Sequence, residues 1–357
     1  MEKNKMIRIK DIAKLCGVSV GTVDRVIHKR GKVSDEALKK VEKVLQEIDY
    51  TPNLLAKTLG SNKIFNVAVL VPHPNQDPYW NLCIAGLEAS IEEWKPYNME
   101  LKSHFFELHN SNSFKEVAQK LLESEPDAVL SAPIFYNEAL EVFRKLEELN
   151  IPYIHFNTQI PSVHPLAFIG QDLYQSGRLG ASLLDLATKG QKGTLSIFHV
   201  SENIKHSTHF KEKERGFREY FEAKNDADRN ISSIIIEEND MGSLEKNLAG
   251  ALASEGTIGL FIPTSSGAKI TAEIIRKNGI NSICIVGYDL LEENVKLLKT
   301  GEIDFLINQN PDRQIFRGVH HLANHLIFNK QIPDQELFPL EVITRDNVDS
   351  YIKFSIQ

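Results

Sequence analysis

The sequence predicts an α/β protein: a small all-α head of three helices, followed by a two-lobed body built on doubly wound parallel sheets. Three observations carry this. Between Ile7 and Tyr50, apolar residues recur at helical spacing in three short stretches, broken at Gly17 and Ser34. From Phe65 onward, short β-rich runs alternate with amphipathic helical stretches, the pattern of repeated βα units with right-handed crossovers. At 357 residues the chain is too long for one ordinary core, and the βα region alone exceeds one doubly wound sheet, so two similar lobes are expected.

In the head, Ile9, Ile12, Ala13 and Cys16 share one helical face, and Gly17 can adopt the positive φ that ends a helix sharply. Ser19 is placed to cap a second helix, Val20 to His28, whose apolar positions are Val20, Val23, Val26 and Ile27. A third helix is expected over Asp35 to Ile48, capped by Ser34, with Leu38, Val41, Leu45 and Ile48 as its inner stripe. Two short helices around a Gly-containing turn form a helix-turn-helix. Charge divides along the same boundary. Through Gly60 there are 13 Lys and Arg against 8 Asp and Glu, whereas the whole chain stands at −7. A basic head on an acidic body fits a nucleic-acid module joined to a different one.

The run IKDIAKLCGVSVGTVDRVIHKRGKVSDEALKKVEKVLQEIDYTPNLLAKTL, with GVSxxTVxRV and YxPNxxAxxL, closely resembles the head of the lac repressor/galactose repressor family. The resemblance implies that the second helix lies in the major groove of double-stranded DNA. Ser19, Val20, Gly21, Thr22, Arg25, His28 and Lys29 would face the duplex, with Arg25 suited to guanine O6 and N7 or to a phosphate. It also implies a hinge over residues 51–64 in which Asn53, Ala56 and Leu59 meet the minor groove, Leu59 as an apolar wedge. This chain departs from the family at Arg8, Gly21, Asp24 and Asp49. Gly21 removes a base-reading side chain, and Asp24 sets a carboxylate near phosphates.

In the body, strands are expected near Phe65–Val71, Leu101–Phe106, Ala128–Ala132, Tyr153–Phe156, Leu195–His199, Ser233–Ile236, Leu260–Ile262, Ile283–Tyr288 and Asp304–Ile307, with helices such as Asn137–Asn150 and Ser176–Thr188 between them. Ligands in such sheets bind beyond the strand carboxyl ends. The loops there are polar or aromatic: Pro72 to Trp80, Asn157-Thr158-Gln159, His199 to Glu202, Pro263-Thr264-Ser265-Ser266, Asp289 and Gln309. Flat rings with amides and carboxylates suit sugar faces and hydroxyls.

The body also resembles the type I periplasmic-binding domain of the same repressors and of ribose-type solute-binding proteins, most closely at DPYW, IGQDLYQSG, ERGF, VGYD and INQNP. That resemblance implies ligand contacts from Asp77, Tyr79, Trp80, Asn157, Lys213, Thr264, Asp289 and Gln309. Asn157 stands where relatives often carry Asp. Lys213 stands where they carry Arg and lacks the bidentate fork. Other roles remain open for some of these residues. Tyr79 and Trp80 could pack at the lobe interface, and Asp289 could cap a helix starting at Leu290 or Glu292.

The domain division expected is 1–50 for the head, 51–64 for the hinge and 65–357 for the body. The lobes are expected to be roughly 65–172 with 310–332, and 173–309 with 333–357. No GxSxG, GxxxxGK[ST], HExxH or GxGxxG element appears where an enzyme would need it, so no catalytic residue, cofactor or metal is assigned. His320, His321 and His325 read as a surface cluster. Cys16, Cys83 and Cys284 are scattered and read as buried hydrophobes, not a disulfide frame. With no 18-residue apolar run and no signal-like start, a cytoplasmic location and no membrane contact are expected. The function expected is a homodimeric repressor on a near-palindromic operator, governed by a small, sugar-like effector. The alternative is a solute-binding or enzyme-like α/β body with an incidental helical N-terminus.

Overall fold

A computed structural model describes residues 9–27, 31–48, 63–200, 208–224, 229–236, 241–280 and 283–354, and the chain divides into two compact units, residues 1–62 and 63–357. His28, Lys29, Asn53, Ala56 and Leu59, assigned to DNA, lie outside the described residues, as does nearly all of the hinge.

The first unit contains α1 (Ile9–Cys16), α2 (Val20–Ile27) and α3 (Asp35–Glu47). Gly17 has φ +66° and ends α1 as the sequence requires. Ser19 Oγ accepts from Thr22 N at 3.1 Å, and Ser34 Oγ accepts from Ala37 N, so both proposed caps are made. Ile12, Ala13, Cys16, Val23 and Val41 are buried together, flanked by Val26, Ile27, Val44, Leu45 and Ile48. Ser19, Val20, Gly21 and Arg25 are exposed, and Thr22 is partly so.

The second unit holds two six-stranded sheets. The first has the order β11-β5-β4-β3-β1-β2 and the second β12-β10-β9-β8-β6-β7. The first-lobe strands are β1 (Phe65–Pro72), β2 (Met99–Phe106), β3 (Ala128–Ser131), β4 (Tyr153–Phe156), β5 (Ala167–Gly170) and β11 (Gln335–Leu337). The second lobe has β6 (Gly193–Val200), β7 (Arg229–Ile236), β8 (Thr257–Phe261), β9 (Cys284–Tyr288), β10 (Phe305–Asn308) and β12 (Glu341–Ile343). All pairs are parallel except β10 with β12. Central strands such as β3 and β4 are buried throughout because helices cover both faces, and they are mostly apolar, with Ser131 and His155 as their buried polar members.

The covering helices are α4 (Pro78–Trp94), α5 (Ser111–Glu123), α6 (Tyr136–Glu148), α7 (Leu173–Ala187), α8 (Thr208–Glu222), α9 (Met241–Glu255), α10 (Gly267–Lys277), α11 (Glu292–Thr300), α12 (Pro311–Phe328) and α13 (Val348–Phe354). Two helix pairs meet at glycines. A Cβ on Gly177 of α7 would sit 1.8 Å from the Lys213 carbonyl oxygen of α8, and one on Gly86 of α4 would sit 1.9 Å from that of Asp312 in α12.

Four expectations need correction. Residues 333–357 do not belong wholly to the second lobe, since Gln335–Leu337 pairs with Phe168–Gly170 in the first sheet. The chain therefore crosses between the lobes near Gln171, near Gln309 and between Leu337 and Glu341. Gln171 Nε2 joins all three crossings by donating to Asn308 O at 2.8 Å and to Pro339 O at 3.0 Å. The helix expected from Ser176 begins at Leu173, because Asp172 accepts from Gln175 N at 2.9 Å and caps it. His321 is buried against Glu336, not part of a surface cluster, while Cys284 is only partly buried.

Candidate functional site

On the first lobe the site begins at the mouth of α4. Asp77 caps that helix by accepting from Tyr79 N at 2.7 Å, and Pro78 occupies its first turn, where a missing N–H costs nothing. The cap brings the next two aromatics inward. Tyr79 is buried and its hydroxyl accepts from Asn157 Nδ2 at 2.6 Å. Trp80 lies in the first-lobe core, edge-on to Tyr79 and to Phe156. Asn157 follows β4 in the left-handed region at φ +62°, with its N–H shared between Ile169 O at 2.9 Å and Gln314 Oε1 at 3.0 Å.

On the second lobe Asp289 follows β9, fully buried and also left-handed at φ +61°. Its carboxylate accepts from Gln309 N at 2.9 Å, from Gln309 Nε2 at 2.6 Å and from Ser265 Oγ. It does not cap the following helix, which starts at Glu292 with Leu291 at the cap. Lys213, also buried, spans from α8 across the sheet end. Its ammonium donates to Pro263 O at 3.1 Å and Gln309 Oε1 at 3.3 Å, and lies 3.6 Å from the Tyr288 ring centroid. Tyr288 Oη is in turn 2.6 Å from Ser176 Oγ. Thr264 is buried, and its hydroxyl has no hydrogen-bond partner among the described residues.

These groups face one another between the lobes. Ser266 of the second lobe pulls the Asp77 carboxyl of the first downward, and the Asp289 carboxylate acts electrostatically on Tyr79. Burial pushes the carboxyls of both Asp77 and Asp289 above the usual carboxylate range, against the pull of their hydrogen bonds. Asp77, Tyr79, Asn157, Lys213, Thr264, Asp289 and Gln309 thus gather at the strand ends of both sheets. Trp80 packs beside Tyr79 in the same buried first-lobe cluster. Such an array can donate to, and accept from, several hydroxyls of one small ligand while its buried walls exclude water.

Sequence reasoning missed the residues that hold this array. Gln314 bonds both Asn157 N and Gln309 O. Asn294 Nδ2 bonds Ser265 O at 2.8 Å and Tyr288 O at 3.0 Å. Both lie on helices beside the strand ends, where single amides carry no pattern. The carboxyl ends of α4 and α12 frame a separate groove of about 360 Å³, where Trp94, Arg317 and His321 are among the lining residues. Two of its lining residues, Arg317 and His321, both bond Glu336. Among the described residues no group of three His, Cys, Asp or Glu side chains could hold a metal ion, and no helix is long and apolar enough to cross a membrane.

Residues 67–330 match the family described as periplasmic binding protein domain, and residues 8–53 match bacterial regulatory proteins of the lacI family. The structure of a LacI-type transcriptional regulator from Bacteroides fragilis superposes with a TM-score of 0.74 at 29% identity, covering 81% of this chain and 100% of that one. Ribose operon repressors are similar in sequence. That of Halalkalibacterium halodurans is 25% identical over 291 residues, 80% of each chain. That of Lactococcus lactis subsp. lactis is 27% identical over 223 residues, 60% of this chain and 63% of that protein's length. A glucose-galactose binding protein from Geobacillus stearothermophilus, at 20% identity and TM-score 0.70 over 80% of this chain and 99% of that one, shares the fold of the body.

A helix-turn-helix head joined to a periplasmic-binding-type body defines a DNA-binding transcription regulator, not an enzyme. The chain belongs to the periplasmic binding protein domain family through residues 67–330 and carries a DNA-binding domain of the lacI family at residues 8–53.

Proposed function

We propose that this chain is a homodimeric, cytoplasmic repressor in which a monosaccharide or close derivative, bound between the lobes, changes the affinity of paired heads for a near-palindromic operator. The observation that carries the reading is the continuous hydrogen-bonded path from Tyr79 through Asn157, Gln314 and Gln309 to Asp289 and Lys213, which spans both lobes. A ligand that replaced parts of this path would bind the two arrangements of the lobes unequally, and differential binding is the source of any shift in DNA affinity. Two carboxylates against one ammonium favour a neutral polyhydroxylated ligand over a phosphorylated one.

In the head, Arg25, Thr22 and the exposed Ser19, Val20 and Gly21 are the duplex-facing set, continued by His28 and Lys29. Asn53, Ala56 and Leu59 are assigned to the hinge that enters the minor groove. The experiment is fluorescence anisotropy with labelled palindromic duplexes, titrated against salt and then against D-ribose, D-galactose, D-glucose, D-allose and D-arabinose. A salt-dependent affinity that one of these sugars alters, and that Arg25→Ala lowers by about tenfold or more, supports the reading. Affinity for every duplex equal in wild type and Arg25→Ala would end it.

A further inference from the structure

We infer that Gln314 is a positioning residue that makes the ligand-facing groups of the two lobes into one unit. It sits on the first turn of α12, the helix that carries the chain from the second lobe into the first. Just before that helix, Gln309 is fastened to the second lobe: its N–H and Nε2 donate to Asp289, and its Oε1 accepts from Lys213. The helix itself is seated on the first lobe, where Gly86 of α4 leaves no room for a Cβ against Asp312 O. Gln314 lies between these anchors, only 1% exposed.

Both ends of its carboxamide are used. Nε2 donates to Gln309 O at 2.8 Å, and Oε1 accepts from Asn157 N at 3.0 Å. Asn157 shares that N–H between Gln314 and Ile169 O at 2.9 Å, so the Gln314 bond is one of the two that set its aim. Its backbone is in the left-handed region, which a non-glycine residue occupies at a cost of about 1 kcal/mol, and the turn directs its side chain to Tyr79 Oη. Holding the Asn157 N–H from α12 therefore fixes two groups on the first lobe, while the bond to Gln309 O fixes the amide shared with Asp289 and Lys213 on the second. Only a group with a donor and an acceptor can serve both ends. The Gln314→Glu substitution keeps the acceptor and loses the donor, and Gln314→Met loses both.

The inference rests on the cleft being the ligand site, and its test separates the two. Full-length wild type, Gln314→Met, Gln314→Glu, Asn157→Ala and the Gln314→Met/Asn157→Ala pair are titrated calorimetrically with the same five sugars, and their unfolding temperatures are recorded without sugar. For the sugar that binds wild type, Gln314→Met is expected to bind about tenfold more weakly and Gln314→Glu by an intermediate factor. The double variant should lose less than the product of the two single losses, because Gln314 acts on the first lobe through the Asn157 side chain, which the second substitution removes. Wild-type affinity in Gln314→Met, or losses that multiply independently, would overturn the inference while leaving the cleft assignment intact. Loss of cooperative unfolding in both Gln314 variants would make Gln314 a folding residue and overturn it too. No binding of any of the sugars by wild type would remove the cleft reading itself, and this inference with it.

Discussion

The ammonium of Lys213 rests on the face of the Tyr288 ring, 3.6 Å from its centroid, so a buried cation is set directly on a buried aromatic. The Pro263 carbonyl and the Gln309 amide oxygen accept its hydrogen bonds. Lys213→Met keeps the stem but strips Pro263 O and Gln309 Oε1 of this donor. Urea denaturation should show a loss of about 2 kcal/mol, the cost of leaving buried acceptors unsatisfied. Lys213→Arg should not restore wild-type stability, because a planar guanidinium does not fit a site built for a compact ammonium.

Asp289 and Asp77 make the body less stable as pH rises. Each has its carboxyl raised above 3.8 by burial, so the folded chain holds these protons more tightly than the unfolded one. Their contribution is greatest below pH 3.8 and is lost as pH climbs through the raised values. Asp289→Asn should flatten the fall in unfolding free energy above about pH 4, measured by denaturant titration from about pH 4 to about pH 7, because the amide never ionises.

Glu214 has the opposite sign. The hydrogen bond from His199, then those from Ser233 and Arg218, outweigh desolvation and hold its carboxyl at about 2 instead of 4.5. Its contribution is present above pH 4.5 and is lost as pH falls toward about 2. At about 1.4 kcal/mol for each pH unit this amounts to about 3 kcal/mol. Acid unfolding followed by circular dichroism should therefore lose its steepest portion below pH 4.5 in Glu214→Gln, with stability at neutral pH lower than wild type.

Gly177→Ala should cost on the order of 3 kcal/mol, because its methyl group meets backbone and not a movable side chain. Separation of α7 from α8 would also carry Lys213 away from Tyr288, so sugar affinity should fall alongside stability. Gly250 in α9 has nothing within 4 Å of the point a methyl carbon would occupy, and Gly250→Ala should raise stability by about 0.5–1 kcal/mol through helix propensity. Differential scanning calorimetry of both variants decides between them.

The head and the central strands were legible because their signals are local. Gly17, Ser19 and Ser34 punctuate three helices, and buried strands such as Ala167–Gly170 are short runs without a charged or polar side chain. Strand β11, Gln335-Glu336-Leu337, carries no such run; its place depends on pairing with β5, distant in sequence. The candidate site was legible wherever a polar residue directly follows a strand, as at Asn157, Asp289 and Gln309. Gln314 and Asn294 were not, since a helix amide acquires its role only when the lobes assemble around it. Tyr79 and Trp80 are buried to the same degree in one first-lobe cluster, so the sequence could not say which ring, if either, meets a ligand.

The last crossing between the lobes has a consequence for synthesis. The first sheet takes its final strand from Gln335–Leu337 and the second from Glu341–Ile343, so neither sheet can close while those segments are still inside the ribosome. A nascent chain halted near Asn310 would present two open sheet edges at once, and no contiguous stretch of the gene encodes a complete lobe.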